Sequence, residues 1–203
     1  MIIVNDFEQG TPEWFAARAG VLSASCFDRI VTSAGKASSQ RTAYLHQLVG
    51  ESLLGEKEET FTSKSMERGM EMESEARDLY EFIREVDVEE VGLCYRDERK
   101  LFSCSPDGLV GDNGGLEIKC PKMHTHIGYL LGGSLPTTYF QQVQGSLFVT
   151  GREWWDFMSY YPGLDPLIVR VTPDTEFHAK LEAALEKCAE RLADMIKTIK
   201  EHQ

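Results

Sequence analysis

The sequence predicts a mixed α/β (α+β) fold, a central mixed β-sheet flanked by helices, and three observations predict it. Segments with helical spacing and recognisable caps occupy both ends of the chain. Short apolar runs punctuated by glycine and aspartate crowd residues 89–120, and two aromatic and β-branched runs follow at 154–161 and 167–171. One sheet with helices packed on it is the economical way to bury all of them.

Taken in chain order, Thr11-Pro12-Glu13 opens the first helix, with Thr11 as N-cap and Pro12 at the first helical position, and Gly20 ends it. Ser23 or Ser25 starts a second, short helix reaching Ile30. A third spans about 39 to 54, with Tyr44, Leu45, Leu48 and Leu53 along one side. Residues 65–85 are rich in helix formers and long enough for about five turns. Within that helix Gly69, Glu73, Ala76, Tyr80 and Ile83 recur at spacings of four and three, so Glu73 falls on the apolar stripe. Glu67, Glu71, Glu75 and Glu81 lie off the stripe and read as solvated charge.

Strands are expected at 89–95, 100–104, 109–110 and 116–120. Gly111-Asp112-Asn113-Gly114-Gly115 tolerates positive φ and makes the last two an antiparallel hairpin. Pro136-Thr137 begins a helix to about 149 that Gly151 closes. Strands at 154–161 and 167–171 follow, and a last helix begins at Thr172-Pro173 with Phe177, Leu181, Ala184, Cys188, Leu192, Met195 and Ile199 on one stripe. No repeat, low-complexity tract or linker interrupts the series, which reads as one domain over 1–203.

Composition narrows the function classes. With 203 residues, 42% of them hydrophobic and 27% charged, the chain suits a globular domain with a substantial core. It contains no apolar run of membrane-spanning length and no secretory signal pattern, so a soluble, cytoplasmic protein with no membrane partner is expected. The five cysteines never form a Cys-x-x-Cys pair, which argues against zinc, an iron-sulfur cluster or a disulfide framework. A net charge of −12 opposes a simple basic nucleic-acid binder. Acid is concentrated in Glu56-Lys57-Glu58-Glu59, around 71–85 and in the last helix. Arg18, Arg29, Lys36, Arg41, Lys119 and Lys122 form a basic track compatible with DNA held in an enclosed channel, although acidic enzymes acting on small phosphoesters share this composition.

The chemistry concentrates in Ser105-Pro106-Asp107-Gly108 and Leu116-Glu117-Ile118-Lys119-Cys120-Pro121. Strand alternation puts Leu116, Ile118 and Cys120 on one face, Glu117 and Lys119 on the other, and the hairpin sets Asp107 beside Glu117. Two carboxylates that close repel unless a hard cation lies between them, and oxygen ligands suit Mg²⁺ or Mn²⁺. Lys119 is placed to orient or activate water and to offset charge growing on a phosphorane. The same pattern also occurs as charge on a wet strand face, so a third acid matters. Glu73, on an apolar stripe, is either a metal ligand or the partner of a buried cation. His124-x-His126 lacks a third ligand at a suitable spacing, and His46, His178 and His202 read as surface residues. Trp14, Trp154 and Trp155 suit core packing more than an interface, and from spacing alone Ser25 reads as a helix cap and Arg18 as a carboxylate partner.

Together these segments resemble the lambda-exonuclease-like (YqaJ) family of phage recombination nucleases, within the PD-(D/E)XK nuclease fold. The resemblance rests on Gln9-Gly10-Thr11-Pro12-Glu13-Trp14 with Arg18 and Gly20, Ser23-Ala24-Ser25, the run Arg68 to Arg77 containing Glu73, Ser105-Pro106-Asp107-Gly108, Glu117-Ile118-Lys119-Cys120-Pro121, and Gln141-Gln142-Val143-Gln144. It implies a 5′-to-3′ exonuclease that digests one strand of linear double-stranded DNA and leaves 3′ overhangs for a single-strand annealing protein. It further implies that Glu73, Asp107, Glu117 and the Ile118 carbonyl hold two Mg²⁺ ions, with Mn²⁺ as a substitute, that Lys119 serves the attacking water, and that Gln142 lies beside it. Arg18, Ser25 and Ser105 match a pocket for the 5′ phosphate, and a homotrimeric ring around DNA is the implied assembly. Thr125 stands where the family has an arginine, which leaves Lys122 or a histidine to take its place. The alternatives are a structure- or site-specific DNA endonuclease on the same fold and a catalytically silent DNA-end-binding protein.

Overall fold

The computed structural model describes residues 1–57 and 72–202. A strand absent from the sequence reading, β1 (Ile2–Val4), precedes α1 (Pro12–Arg18). That helix begins as expected: the Thr11 hydroxyl accepts from the Trp14 N–H at 3.3 Å, and Pro12 occupies the first turn, where a missing N–H is harmless. β2 (Leu22–Ser23) leads into a 3-10 turn (Ala24–Arg29) and then α2 (Arg41–Leu54), which ends on Gly55 in the left-handed conformation at φ 70°. α3 (Glu73–Arg84) is the C-terminal part of the helix expected over 65–85. Its first part, with Glu67, Gly69 and Glu71, lies outside the described residues, as do Glu58 and Glu59.

The strand expected at 89–95 is two strands in different sheets, β3 (Val88–Glu89) and β4 (Leu93–Tyr95). The chain breaks at Gly92, where a Cβ would stand 2.3 Å from the Phe7 carbonyl oxygen, so only glycine admits the close approach. β5 (Phe102–Cys104), β6 (Gly108–Val110) and β7 (Gly114–Lys119) follow close to expectation. α4 (Met123–Gly132) is an element the sequence reading lacks. A 3-10 turn (Thr137–Tyr139) then runs into α5 (Phe140–Thr150), closed by Gly151 at φ 68°. The chain ends with β8 (Trp154–Ser159), β9 (Leu167–Val171) and α6 (Thr175–Glu201). The last helix is capped by Asp174 rather than Thr172: the Asp174 carboxylate accepts from the Phe177 N–H at 2.9 Å, while the Thr172 carbonyl accepts from Gln144.

The architecture is mixed α/β, with two sheets in place of one. The smaller runs β1-β4-β5-β2 and the larger β3-β6-β7-β8-β9, both combining parallel and antiparallel pairs. The parallel pair β7–β8 requires a crossover, and α4 and α5 supply it. The hairpin is present, with Gly108 opposite Leu116 and Val110 opposite Gly114. Its turn is tighter than expected, since Gly114 and Gly115 belong to β7. A Cβ at either would stand 2.1 or 2.3 Å from the rings of Trp154 and Trp155 on the neighbouring strand. The buried Arg152 fixes that turn by donating from one nitrogen to the carbonyls of Gly111 (2.7 Å) and Gly114 (2.6 Å).

Two cores result. The larger joins α2, α5, α6, the smaller sheet and one face of the larger sheet through Phe27, Leu45, Leu48, Phe102, Trp155, Phe157 and Leu181. The smaller packs Ala76 and Tyr80 of α3 on Leu116, Ile118 and Met158. The apolar stripe of α3 therefore ends at Tyr80, because Ile83 is exposed. Tyr80 also donates to the buried Asp156 (2.9 Å), which holds Arg170 on its other side. The five cysteines form no disulfide, and among the described residues no helix is long and apolar enough to cross a membrane.

Candidate active site

The hairpin places Asp107 just ahead of β6, and its carboxylate accepts the Ile118 N–H at 2.6 Å. Glu117 and Lys119 lie on the face of β7 opposite Leu116 and Ile118, as alternation requires. That face is not wet. Glu117 is 1% exposed, and one of its oxygens accepts from both the Lys119 ammonium and the Gln142 side-chain amide on the first turn of α5. A carboxylate withdrawn from water to this extent needs such partners, so surface decoration is not what this pair does. The Lys119 ammonium also lies 5.6 Å from the centre of the Tyr139 ring, which stacks on Phe157.

Glu73 opens α3 and is half-buried. Its carboxylate accepts from Arg77 one turn later at 3.2 Å, and Arg77 also donates to the Asp107 carbonyl at 3.2 Å. Burial pushes Glu73 up to about 7, helped by the charge on Asp107, and burial followed by Asp107 and Glu73 does the same to Glu117. Burial also raises Asp107. Burial opposes charge on Lys119, but Glu117 and Asp107 outweigh it and hold the ammonium above its ordinary range. The three acids thus repel one another through a dry medium, with Lys119 and Arg77 as the chain's own counter-cations. Among the described residues no three His, Cys, Asp or Glu side chains converge closely enough to hold a metal ion. The donor chemistry nevertheless fits a hard divalent cation, because it is all oxygen and carries excess negative charge.

The second half of the site lies on the smaller sheet and α1. Arg18 is 8% exposed, stacks over Trp14 (4.1 Å) and donates to the hydroxyls of Ser23 and Ser25, both at 3.2 Å. Among the described residues its buried Nε has no hydrogen-bond partner and no carboxylate lies within ion-pair distance, and burial lowers its pKa. Ser25 is thus a partner of Arg18, and the 3-10 turn carries no side-chain cap bond. Trp14 Nε1 donates to the Ser105 hydroxyl at 3.2 Å and to the Gly92 carbonyl at 2.9 Å. Gln9 ties the Val91 and Pro106 carbonyls together.

A single cleft of about 150 Å³ joins the two halves, lined by Arg18, Ser25, Ser105, Asp107, Glu117, Lys119 and Gln142, with Gln9 and Trp14 at its wall. Of Gln141-Gln142-Val143-Gln144 only Gln142 reaches it; Gln141 bonds the Val31 carbonyl and Gln144 the Thr172 carbonyl. A larger groove of about 420 Å³ between α2 and α6, around Val49 and Met195 with His46, Arg191, Asp194 and Thr198, holds none of the motif residues.

Several expectations need correction. Lys122 is exposed at the start of α4 and does not line the cleft, because β7 turns away after Lys119. Arg29 and Arg41 are structural, stacked on Tyr44 and bonded to the Ile30 carbonyl respectively. His126, from the pair whose spacing offers no third ligand, is fully buried: its Nε2 donates to the Asp165 carbonyl and its Nδ1 accepts from Ser159, so it holds α4 down. His178 is not a surface residue, since its Nε2 is buried and its ring packs on Phe148. Lys57, expected in an exposed acidic block, is half-buried, and burial and Arg18 lower its pKa. Trp14, Gln9 and Tyr139 were missed as parts of the site; the motif containing Gln9 and Trp14 was a signal for two of them.

The family profile of the YqaJ-like viral recombinase domain matches residues 13–153. The crystal structure of an alkaline exonuclease (LHK-Exo) from Laribacter hongkongensis superposes with a TM-score of 0.86 at 35% identity, covering 95% of this chain and 97% of that one. The structure of LHK-Exo in complex with dAMP gives the same values. A phage-related exonuclease from Haemophilus somnus 129PT shares the fold at 15% identity and a TM-score of 0.64, covering 90% of this chain and 96% of that one. Uncharacterized protein R354 of Acanthamoeba polyphaga mimivirus is 29% identical over 171 residues; the match covers 76% of this chain but only 29% of that protein's length.

Proposed function

The chain belongs to the YqaJ-like viral recombinase domain family, and on that premise we propose that it is a metal-dependent exonuclease that degrades one strand of linear double-stranded DNA from its 5′ end. The observation that carries this reading is the shared cleft: Asp107 and Glu117 with Lys119, and Arg18 with two hydroxyls, open into one cavity, with Glu73 outside its lining. The first set suits phosphodiester hydrolysis and the second suits a terminal phosphate. The reading takes residues 1–203 as one nuclease domain.

In this proposal Asp107, Glu117, Glu73 and the Ile118 carbonyl would hold two Mg²⁺ ions, whose chemistry there would be to activate a water and to neutralise charge on the leaving oxygen. Lys119, kept as an ammonium by Glu117 and Asp107, acts electrostatically on the phosphorane rather than as a base. Gln142 restrains Glu117, and the Tyr139 ring limits where the Lys119 ammonium goes. Arg18, already desolvated and with no carboxylate in ion-pair distance among the described residues, meets the 5′ phosphate together with Ser25 and Ser105. A phosphate held there and a scissile bond at the acids would give the enzyme its polarity. Assembly as a homotrimeric ring and delivery of 3′ overhangs to a single-strand annealing protein belong to the same proposal.

Linear duplex with a 5′ phosphate, the same duplex with a 5′ hydroxyl, and a covalently closed circle test it. The phosphorylated duplex is expected to be digested fastest and the circle to survive; cutting of the circle would remove the exonuclease reading. In Arg18→Gln the advantage of the phosphorylated end is expected to disappear, a loss of roughly 10- to 100-fold if one charge-assisted contact is removed.

Metal binding is expected to depend on pH. The carboxyls of Glu73 and Glu117 ionise near 4.5 when unperturbed and near 7 in the fold. Between those values the folded chain binds more protons than the unfolded one, so stability of the metal-free protein falls as pH rises through that window. Metal replaces those protons. The rise in melting temperature caused by Mg²⁺ or Mn²⁺ is therefore expected to be small near pH 5 and complete above about 7, and a rise of equal size at both ends would contradict the ligand assignment.

A further inference from the structure

Arg77 is used by no step above, yet its surroundings are unusual. It is 12% exposed and uses all three guanidinium nitrogens: one meets the Glu73 carboxylate at 3.2 Å, one the Asp107 carbonyl at 3.2 Å, and one Glu90 at 2.8 Å. Glu73 sits on α3 and Asp107 on the loop ahead of β6, so the two acids come from separate elements, and of the two only Asp107 lines the cleft. Among the described residues Arg77 is the side chain that hydrogen-bonds to both. α3 otherwise rests on β7 through Ala76 and Tyr80, contacts that set its height above the sheet without fixing the direction of Glu73.

We propose that Arg77 is the positioning residue of the metal centre, clamping Glu73 to the Asp107 segment and fixing the separation of two ligand groups. This rests on the reading of Glu73, Asp107 and Glu117 as metal ligands. A planar fork is needed, because the three acceptors lie in different directions and an ammonium on a flexible stem cannot meet them all at fixed geometry. Glu90, which is largely exposed, completes the fork from the solvent side and keeps the guanidinium from swinging into the cleft, where it would compete with the cation. Groups that orient a metal's ligands are generally worth about 10- to 100-fold in affinity.

Calorimetric titration of the full chain with Mn²⁺ tests this, using the native protein, Asp107→Asn, Arg77→Met and Arg77→Lys, with the melting temperature of each metal-free protein recorded beside it. The native protein is expected to bind and Asp107→Asn to lose binding. Arg77→Met is expected to bind about 10- to 100-fold more weakly, with its metal-free melting temperature little changed, and Arg77→Lys to fall nearer to it than to the native protein. If Arg77→Met binds Mn²⁺ like the native protein while Asp107→Asn does not, Arg77 merely braces α3 and the inference fails with the ligand reading intact. If Asp107→Asn binds normally, or the native protein does not bind, the ligand reading fails and takes the inference with it. Should Arg77→Met not fold, native affinity in Arg77→Lys overturns the proposal.

Discussion

Lys119→Ala is expected to lower the rate of strand cleavage on linear duplex by roughly 10²- to 10³-fold, because a preorganised charge aimed at a developing anion is worth about 2.7–4 kcal/mol in a dry site. Lys119 fits that description: Glu117 and Asp107 hold it charged, Glu117 and the Tyr139 ring restrict its position, and it lines the cleft. The substitution also leaves Glu117 buried without its cation, which favours the protonated acid. Single-turnover rates at saturating Mg²⁺ separate the two effects, since saturation compensates for weaker metal binding but not for a missing transition-state charge. Activity within a few-fold of the native protein would show that Lys119 is only the counter-ion of Glu117.

The largest structural effect is expected from Trp155→Ala, a loss of about 3–5 kcal/mol in unfolding free energy. Trp155 is completely buried on β8, and its ring lies against Gly115 of β7 so closely that no Cβ fits there. The ring therefore fills the space that glycine leaves and joins the strand bearing Glu117 to the larger core. Removing it opens a cavity under β7 that no neighbouring backbone can close. Denaturant titration measures the loss, and the melting temperature should fall by on the order of 10 °C for a chain of this size. A loss below 1 kcal/mol would mean that the strand pair relaxes into the gap.

Much of this was legible before any coordinates, and the reasons differ from element to element. The hairpin was legible because Gly111-Asp112-Asn113 has one cheap conformation, and α1 and α5 because their caps are local chemistry. Glu117 and Lys119 could be placed on one face of a strand because alternation is a property of the strand itself. Whether that face is wet is not local. It is decided by α5 and Gln142, which come from a distant part of the chain, and this is why the residues alone left surface decoration open. The split at Gly92 was hidden because strands of two or three residues have no period to detect, and β1 and β2 were missed or blurred for the same reason. α4 escaped because Gly128, Gly132 and two histidines dilute its helical pattern, and its buried residue, His126, is polar.

On the site, the motifs gathered Arg18, Ser25, Ser105, Asp107, Glu117, Lys119 and Gln142, and these side chains line one cavity. Lys122 fell outside because the chain leaves the sheet at Cys120-Pro121 and its side chain stays in solvent at the start of α4. Arg77 carried no separate signal, since a Glu and an Arg four apart on a helix are usually an ordinary surface pair. Its contact with the Asp107 carbonyl exists only once the hairpin has folded against α3.

The most direct test of the central claim, that the phosphate-binding half and the acid half of one cleft make a 5′-directed nuclease, is a time course on a duplex carrying distinguishable labels at the 5′ and 3′ ends of one strand. With Mg²⁺ present the 5′ label is expected to leave first as mononucleotide, the 3′ label to remain on a shortening strand, and Asp107→Asn to release neither. Release of the 3′ label first, or of both labels on large fragments, would contradict the account.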